Sequence, residues 1–392
     1  MECFQTQNFW PLHGGAFFLI NPIGRIVEGA SRRVFFFSIA VFALFIYGVR
    51  GFKYRNAIWG DDLKLYFSAK RTTGSSTNSF DFLGLFDQFN NHTAVLSRLV
   101  TQIALVGPDT SFTLRVYLIM TLVFAFTTAG ISLAVSSYAS RMPAILVVFF
   151  LVFLPFSNHV MLAQANTVAW PLALYIFITT ATGEYPNSVG KKTLLAVLSA
   201  LVAMSSVTMI LAIVFLVLNM LENRRTVHRY ELVLLTVTCI SFFVQWNLYT
   251  PRSNPKLPFL GELHKALYNF SPQYIRQKIG TSLNGDDQII FWIIPLMLLI
   301  IWLTQVNFAR QTNWSVAVSA AKLFVGGVVL LGLMVRGNGW FNTHYLFIPT
   351  AMFWVSLTLL FHQNRHDAST RLTVSITLAL FATTYSGTYY LL

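Results

Sequence analysis

Long apolar runs recur along this chain, separated by short segments carrying Arg, Lys, Asn, Pro and Gly. A helix needs about 20 apolar residues to cross a hydrocarbon layer, and several of these runs approach that length. Only 10% of the 392 residues are charged and 55% are hydrophobic. A soluble chain carries roughly a quarter charged residues. The pattern therefore predicts an all-α, polytopic membrane protein forming a single transmembrane domain over 1–392.

The 36 Phe and 9 Trp suit lipid-facing surfaces and interfacial belts. A net charge of +13 is compatible with nucleic acid, but the basic residues are scattered in short loops between apolar runs. That is the positive-inside pattern, supported by anionic lipid headgroups, so membrane lipids are expected as partners and nucleic acid is not. Cys3 and Cys239 are far apart, and Cys239 lies inside an apolar run. Neither a disulfide nor a cysteine metal site is expected. The run from Val34 follows a polar lead without a clear cleavage site, and reads as a retained span.

About eleven spans are expected: Val34–Val49, Phe112–Ser136, Pro143–Phe156, Val168–Thr182, two within Thr193–Leu221, Glu231–Tyr249, Gln288–Gln305, Ala317–Val335, Leu346–Phe361 and Leu372–Leu391. The stretch Thr193–Leu221 has basic flanks at both ends, and Ser205-Ser206 falls near its middle. Two short spans with a hairpin there satisfy the charge rule better than one long helix. Residues 1–33 read as a cytoplasmic interfacial segment. The arginines before the first run place the N-terminus in the cytoplasm.

That orientation puts four segments on one external face: the loop over 50–110, the turn Asn158–Asn166, the loop over 250–287 and the turn Arg336–Tyr345. The first loop carries Arg50, Lys53, Arg55, Lys64, Lys70 and Arg71, against the charge rule, and an anionic ligand would account for them. Its tail, Ala94–Val106, is apolar but broken by Ser97, Arg98, Thr101 and Gln102, and reads as an interfacial or slightly re-entrant helix.

The same loop is densest in ionisable chemistry. Asp61-Asp62 can supply a general base toward a hydroxyl within hydrogen-bonding reach; a solvated pair or helix cap before Leu63 is the plainer account. The pair has the chemistry to hold a divalent cation, but one pair is weak evidence, and no cofactor is expected. Asp87, Asn91 and Arg98 are spaced four and seven apart, which on one helix gives one face, with His92 beside it. Arg98 in an apolar helix needs a partner or an anion: a bound phosphate, since guanidinium matches it bidentately, or an ion pair with Asp87. His92 suits a phosphate contact or a helix cap equally. The loop over 250–287, with Arg252 among its basic residues, reads as an ordinary wet loop or a substrate lid. Arg336, His344 and Tyr345 flank a Gly-containing turn that suits a lipid phosphate or simple snorkelling. Asn158, His159, Gln164 and Asn166 suit sugar hydroxyls or merely fill a turn.

Asp61-Asp62 after the first span, Asn91-His92 with Arg98 after five intervening residues, and Arg336 with His344-Tyr345 in a late turn resemble the GT-C superfamily of integral-membrane glycosyltransferases. More narrowly, the pattern is similar to the bacterial and phage serotype-converting glucosyltransferases that modify O-antigen. The resemblance implies a polyprenyl-phosphate sugar donor, a glycan acceptor and an active site on the periplasmic face of a bacterial inner membrane. It implies Asp62 or Asp61 as base, with Arg98, His92 and Arg336 on the lipid phosphate; Asn91, His344, Tyr345 and Arg252 are the further substrate-binding candidates. The chemistry agrees: a phosphate leaving group needs cationic donors rather than a protonating acid. An O-antigen polymerase or ligase is one alternative. A flippase or transporter is another, and for that class Lys322 with Gly326-Gly327 is the main signal, being the exception among otherwise clean spans.

Overall fold

The computed structural model describes residues 29–52, 55–56, 63–68, 80–89, 92–106, 108–138, 141–153, 162, 164–222, 229–248, 314–338 and 347–363. The expected spans at 288–305 and 372–391, the loop over 250–287 and residues 1–28 lie outside them. Ten α-helices of 11 residues or more run through the described residues: α1 (Arg32–Gly51), α2 (Val95–Leu105), α3 (Phe112–Tyr138), α4 (Arg141–Phe153), α5 (Ala169–Thr182), α6 (Val189–Ala203), α7 (Ile210–Glu222), α8 (Arg229–Leu248), α9 (Trp314–Asn338) and α10 (Phe347–Gln363). Three helices, within α1, α3 and α8, are long and apolar enough to cross a membrane; segments of α2, α4, α7, α9 and α10 are shorter and apolar.

The centre of the bundle is α5. It is apolar all round and nearly every residue is buried, as expected of a helix with neighbours on every side. It packs against α3, α6, α7, α9 and α10. Its threonines return their hydroxyls to the backbone one turn earlier, Thr179 to Tyr175 O and Thr180 to Ile176 O. A polar residue can thereby sit in an apolar core with its group satisfied. Gly183, at φ +70°, ends the helix in the left-handed conformation that glycine adopts without a Cβ clash.

Antiparallel contacts fix which loops share an end. Tyr117, at the start of α3, donates to Gly48 O near the end of α1. Arg50 donates to Val152 O at the end of α4. At the opposite end Tyr138 meets Ser319 at 3.0 Å, and Tyr230 at the start of α8 donates to Lys192 O at the start of α6 (2.9 Å).

The break within Thr193–Leu221 falls where the serines stand. Met204 to Ser206 interrupt the helix between α6 and α7, with a 3-10 turn over Val207–Met209. Ser205 donates to Leu201 O and Ser206 accepts from Thr208 N, the local competition by which serine ends helices. Both open ends of the hairpin lie together: Lys192 meets Tyr230, and Asn219 reaches Tyr185 just before α6. The arms are bridged by α5 and α8.

Lys322 pairs rather than snorkels. Its ammonium donates to Asn219 Oδ1 at 2.6 Å and to Glu222 Oε2 at 2.7 Å. Asn219 donates onward to Thr180 O at 2.7 Å. One polar chain thus ties α9, α7 and α5 at the end away from Arg98. The neighbouring glycines serve packing. The helix α9 runs unbroken through Gly326 and Gly327. A Cβ at Gly326 would meet Phe215 Cζ at 2.7 Å, and one at Gly327 would meet Phe353 Cε1 at 2.7 Å and Pro349 O at 3.2 Å. Small residues let helix backbones approach where water supplies no driving force. Neither feature is the deep helix break that a transport pathway would use.

Two predictions follow from these contacts. Gly327→Ala pushes α10 from α9 and lowers stability by about 1–3 kcal/mol, read as a fall in melting temperature of the detergent-purified protein. Lys322→Ala leaves Asn219 Oδ1 without its donor and costs about 1–3 kcal/mol, whereas Lys322→Arg retains most of the stability.

Candidate functional site

Arg98 stands in α2, 5% exposed. The expected single helix through Asp87, Asn91 and Arg98 does not form. Residues Leu83–Phe86 make a 3-10 turn, Gln88–Phe89 (β1) pairs antiparallel with His92–Thr93 (β2), and α2 begins only at Val95. The register is Gln88↔Thr93 and Phe89↔His92. The shared face proposed from spacing is therefore replaced by a hairpin that leads into α2.

Asp87 nonetheless lies beside Arg98. Its Oδ2 is 4.0 Å from Arg98 Nη1, and its side chain is 50% exposed. Nη1 also donates to Ser68 Oγ at 3.2 Å. Burial pulls the Arg98 pKa down, and the nearby Asp87 and Asp81 carboxylates push it back. A guanidinium remains charged in such surroundings. The pair is long for an ion pair and its acid is half in solvent, which makes Asp87 an exchangeable partner.

Three fastenings hold α2. Its N-cap residue, Ala94, has no side-chain hydrogen bond to offer. The cap comes instead from 109 residues away: Leu96 N donates to Ser205 Oγ at 3.0 Å. Gln102 Nε2 donates to Asp81 O at 2.7 Å. At the far end Arg115 of α3 donates to Ala104 O, to Ser111 Oγ and to Pro108 O, the last at 2.8 Å. A cation at a helix C-terminus satisfies carbonyls that have no partner within the helix. Eight of the helix's residues are buried against the protein, while Ile103 is exposed.

Other elements close around it. The 3-10 turn Ala165–Thr167 and the turn Leu83–Phe86 pack on α2, and α8 packs on both β2 and Val207–Met209. The short helix over 63–68 brings Ser68 to Arg98, and its Leu65 is buried with Ala94. The loop, the turn near Gln164 and the hairpin tip therefore meet at one end, as the parity of the spans implied.

The remaining candidates divide plainly. Asp61, Asp62, Asn91, Arg252, His344, Tyr345, Asn158 and His159 lie outside the described residues. His92 is in β2 and Arg336 in the last turns of α9, both with side chains outside the described ones. Among the loop's cations, Arg50 donates to Val152 O. Arg55 donates to Phe52 O at 2.9 Å and lies 3.7 Å over the Phe52 ring. These two serve the protein's own carbonyls, so the surplus of positive charge in the loop is partly structural. Among the described residues no three His, Cys, Asp or Glu side chains gather as a metal site.

Reading by sequence noted Ser205 and Gln102 only as polar interruptions of apolar runs and did not single out Arg115; that all three fasten α2 depends on partners elsewhere in the chain. No protein-family model matches the chain, and no curated protein matches it. What the fold defines is a helical protein with membrane-like apolar helices and a buried arginine at one end of the bundle.

Ser205→Ala is expected to unseat the start of α2 at about 0.5–2 kcal/mol, with Ser205→Thr close to wild type. Hydrogen exchange at the Leu96 amide is the measurement: faster exchange in Ser205→Ala and unchanged exchange in Ser205→Thr.

Proposed function

We propose that this chain is a GT-C-like membrane glycosyltransferase with about eleven spans. It moves one sugar from a polyprenyl-phosphate donor to a hydroxyl of an extracytoplasmic glycan such as O-antigen, at the periplasmic face of a bacterial inner membrane. The observation that carries the reading is Arg98, a guanidinium 5% exposed at the end of an apolar bundle, with the half-exposed Asp87 carboxylate 4.0 Å from it. Burying a charge in such surroundings is costly unless an anion repays it. A lipid phosphate displacing Asp87 would do so with better geometry, since guanidinium and phosphate match bidentately.

The chemistry then assigns roles. Phosphate leaves without protonation and needs positive hydrogen-bond donors, which Arg98 supplies, with His92 and Arg336 as further candidates. The acceptor hydroxyl needs a base, for which Asp62, or Asp61, is the candidate; Asp62 directly precedes the helix over 63–68 that carries Ser68 to Arg98. The donor's isoprenoid tail stays in lipid beside the bundle, so no nucleotide cradle is required.

Expected outcomes are specific. Arg98→Ala weakens binding of polyprenyl phosphate about 10–100-fold, the loss of one charged hydrogen-bonding partner. Asp87→Asn leaves binding intact or tightens it, because it removes the competing acid. Asp62→Asn or Asp61→Asn lowers turnover about 10²–10⁴-fold at unchanged donor affinity. Full turnover in both aspartate variants removes the base assignment, and unaltered phosphate-lipid binding in Arg98→Ala removes the reading as a whole.

A further inference from the structure

Asp87 closes the 3-10 turn Leu83–Phe86 and directly precedes β1, with extended backbone and its N–H donating to Gly84 O. The turn packs on α2. Asp81 fixes it twice: its Oδ1 accepts from Gly84 N at 2.9 Å, and its carbonyl accepts from Gln102 of α2 at 2.7 Å. The main chain at Asp87 is therefore seated on the helix that carries Arg98. The side chain is held far less firmly. Its carboxylate is half exposed and 4.0 Å from Arg98 Nη1, beyond hydrogen-bonding length, while the same nitrogen donates to Ser68 Oγ at 3.2 Å. An acid on fixed backbone, fastened loosely to a buried cation, leaves that cation by a side-chain rotation alone.

We infer that Asp87 is an acceptor-binding residue: a phosphate arriving on Arg98 frees its carboxylate, which then takes hydrogen bonds from neighbouring hydroxyls of a neutral glycan acceptor. This assignment rests on the reading of Arg98 as the phosphate anchor and adds a residue that holds the second substrate. Phosphate matches the guanidinium fork in a bidentate way, and a carboxylate 4.0 Å away does not. Once phosphate neutralises Arg98, the carboxylate loses its cation and is repelled by the second anion. It turns toward water, from which a polar acceptor comes. An ionised carboxylate only accepts, and its two oxygens suit two hydroxyl donors of one sugar ring. Hydrogen bonds to an ionised group are about twice as strong as neutral ones. An acidic sugar is repelled by Asp87 and by the phosphate alike, so the acceptor is neutral where it meets the site. Donor binding precedes acceptor binding, because without donor Asp87 stays with Arg98. The proton of the attacking hydroxyl still goes to the base, Asp62 or Asp61.

The test uses the full chain in nanodiscs. Polyprenyl phosphate is the lipid probe; a neutral O-antigen oligosaccharide and the same oligosaccharide oxidised to a uronic acid are the acceptor probes. In wild type, saturating polyprenyl phosphate raises affinity for the neutral oligosaccharide about 10-fold, and the oxidised one gains nothing. Asp87→Asn binds polyprenyl phosphate at least as tightly as wild type, which reports a folded site, and loses the gain. In turnover its acceptor KM rises about 10-fold at nearly unchanged kcat; an Asp87 that merely competes for Arg98 leaves that KM unmoved. Asp87→Glu, which keeps the carboxylate, retains part of the gain. Oligosaccharide binding that ignores the lipid in wild type, or a gain that survives in Asp87→Asn, overturns the inference while Arg98-dependent phosphate binding stands. Loss of polyprenyl-phosphate binding in Asp87→Asn makes the residue structural and also overturns it. Absence of any Arg98-dependent phosphate binding overturns both readings.

Discussion

A charged guanidinium cannot be left alone in an apolar interior, and much of this structure follows from placing one there. Arg98 is held in α2, and α2 is held at both ends and in its middle by residues of three other segments. A helix of 11 residues has too few internal bonds to be stable on its own. Its position is therefore set by what caps it: the hairpin tip through Ser205, the 81–87 segment through Asp81, and the start of α3 through Arg115. The surrounding segments bring Ser68 and Asp87 to the guanidinium, which keeps its charge in spite of burial.

The two ends of the bundle are built on different chemistry. At the end away from Arg98, Lys322, Glu222, Asn219 and Thr180 form a satisfied chain across three helices. Close helix contacts at Gly326 and Gly327 add rigidity nearby. Burial and the Glu231 carboxylate push the Tyr185 phenol pKa up, so it stays a neutral hydrogen-bonding group that receives Asn219 Nδ2. In the helix that carries Arg98, Gln102 Nε2 is used on Asp81 O while its Oε1 has no hydrogen-bond partner.

Much of the helical layout was legible in advance. The runs beginning at Phe112, Val168, Glu231 and Leu346 start within about two residues of helices in the structure, because apolar length and flanking charge are local properties. Ser205-Ser206 marked the hairpin for the same reason: serine hydroxyls compete with the helix backbone nearby. The failures were tertiary. Four- and seven-residue spacing suggested one helix through Asp87, Asn91 and Arg98, but Gln88–Phe89 pairs with His92–Thr93 as antiparallel strands, and Asp87 lies beside Arg98 across that pairing. Arg50 and Arg55 counted toward an anion site, yet they donate to backbone carbonyls that charge counting does not register. The Asp87 pairing, weighed from the sequence as the plain alternative, is present and is loose.

By itself, then, the sequence determined that this chain forms apolar helices, roughly where they begin and end, and that its ionisable groups cluster in the first loop. Those follow from composition and periodicity within windows of about 20 residues. Only the tertiary structure decided that Ser205 caps the helix carrying Arg98, that Lys322 closes a chain of bonds instead of reaching for the interface, and that Gln245 is enclosed with its amide unspent. Each of these joins residues that chain distance keeps apart, and burial, which makes an unpaired polar group costly, depends on every neighbouring helix at once.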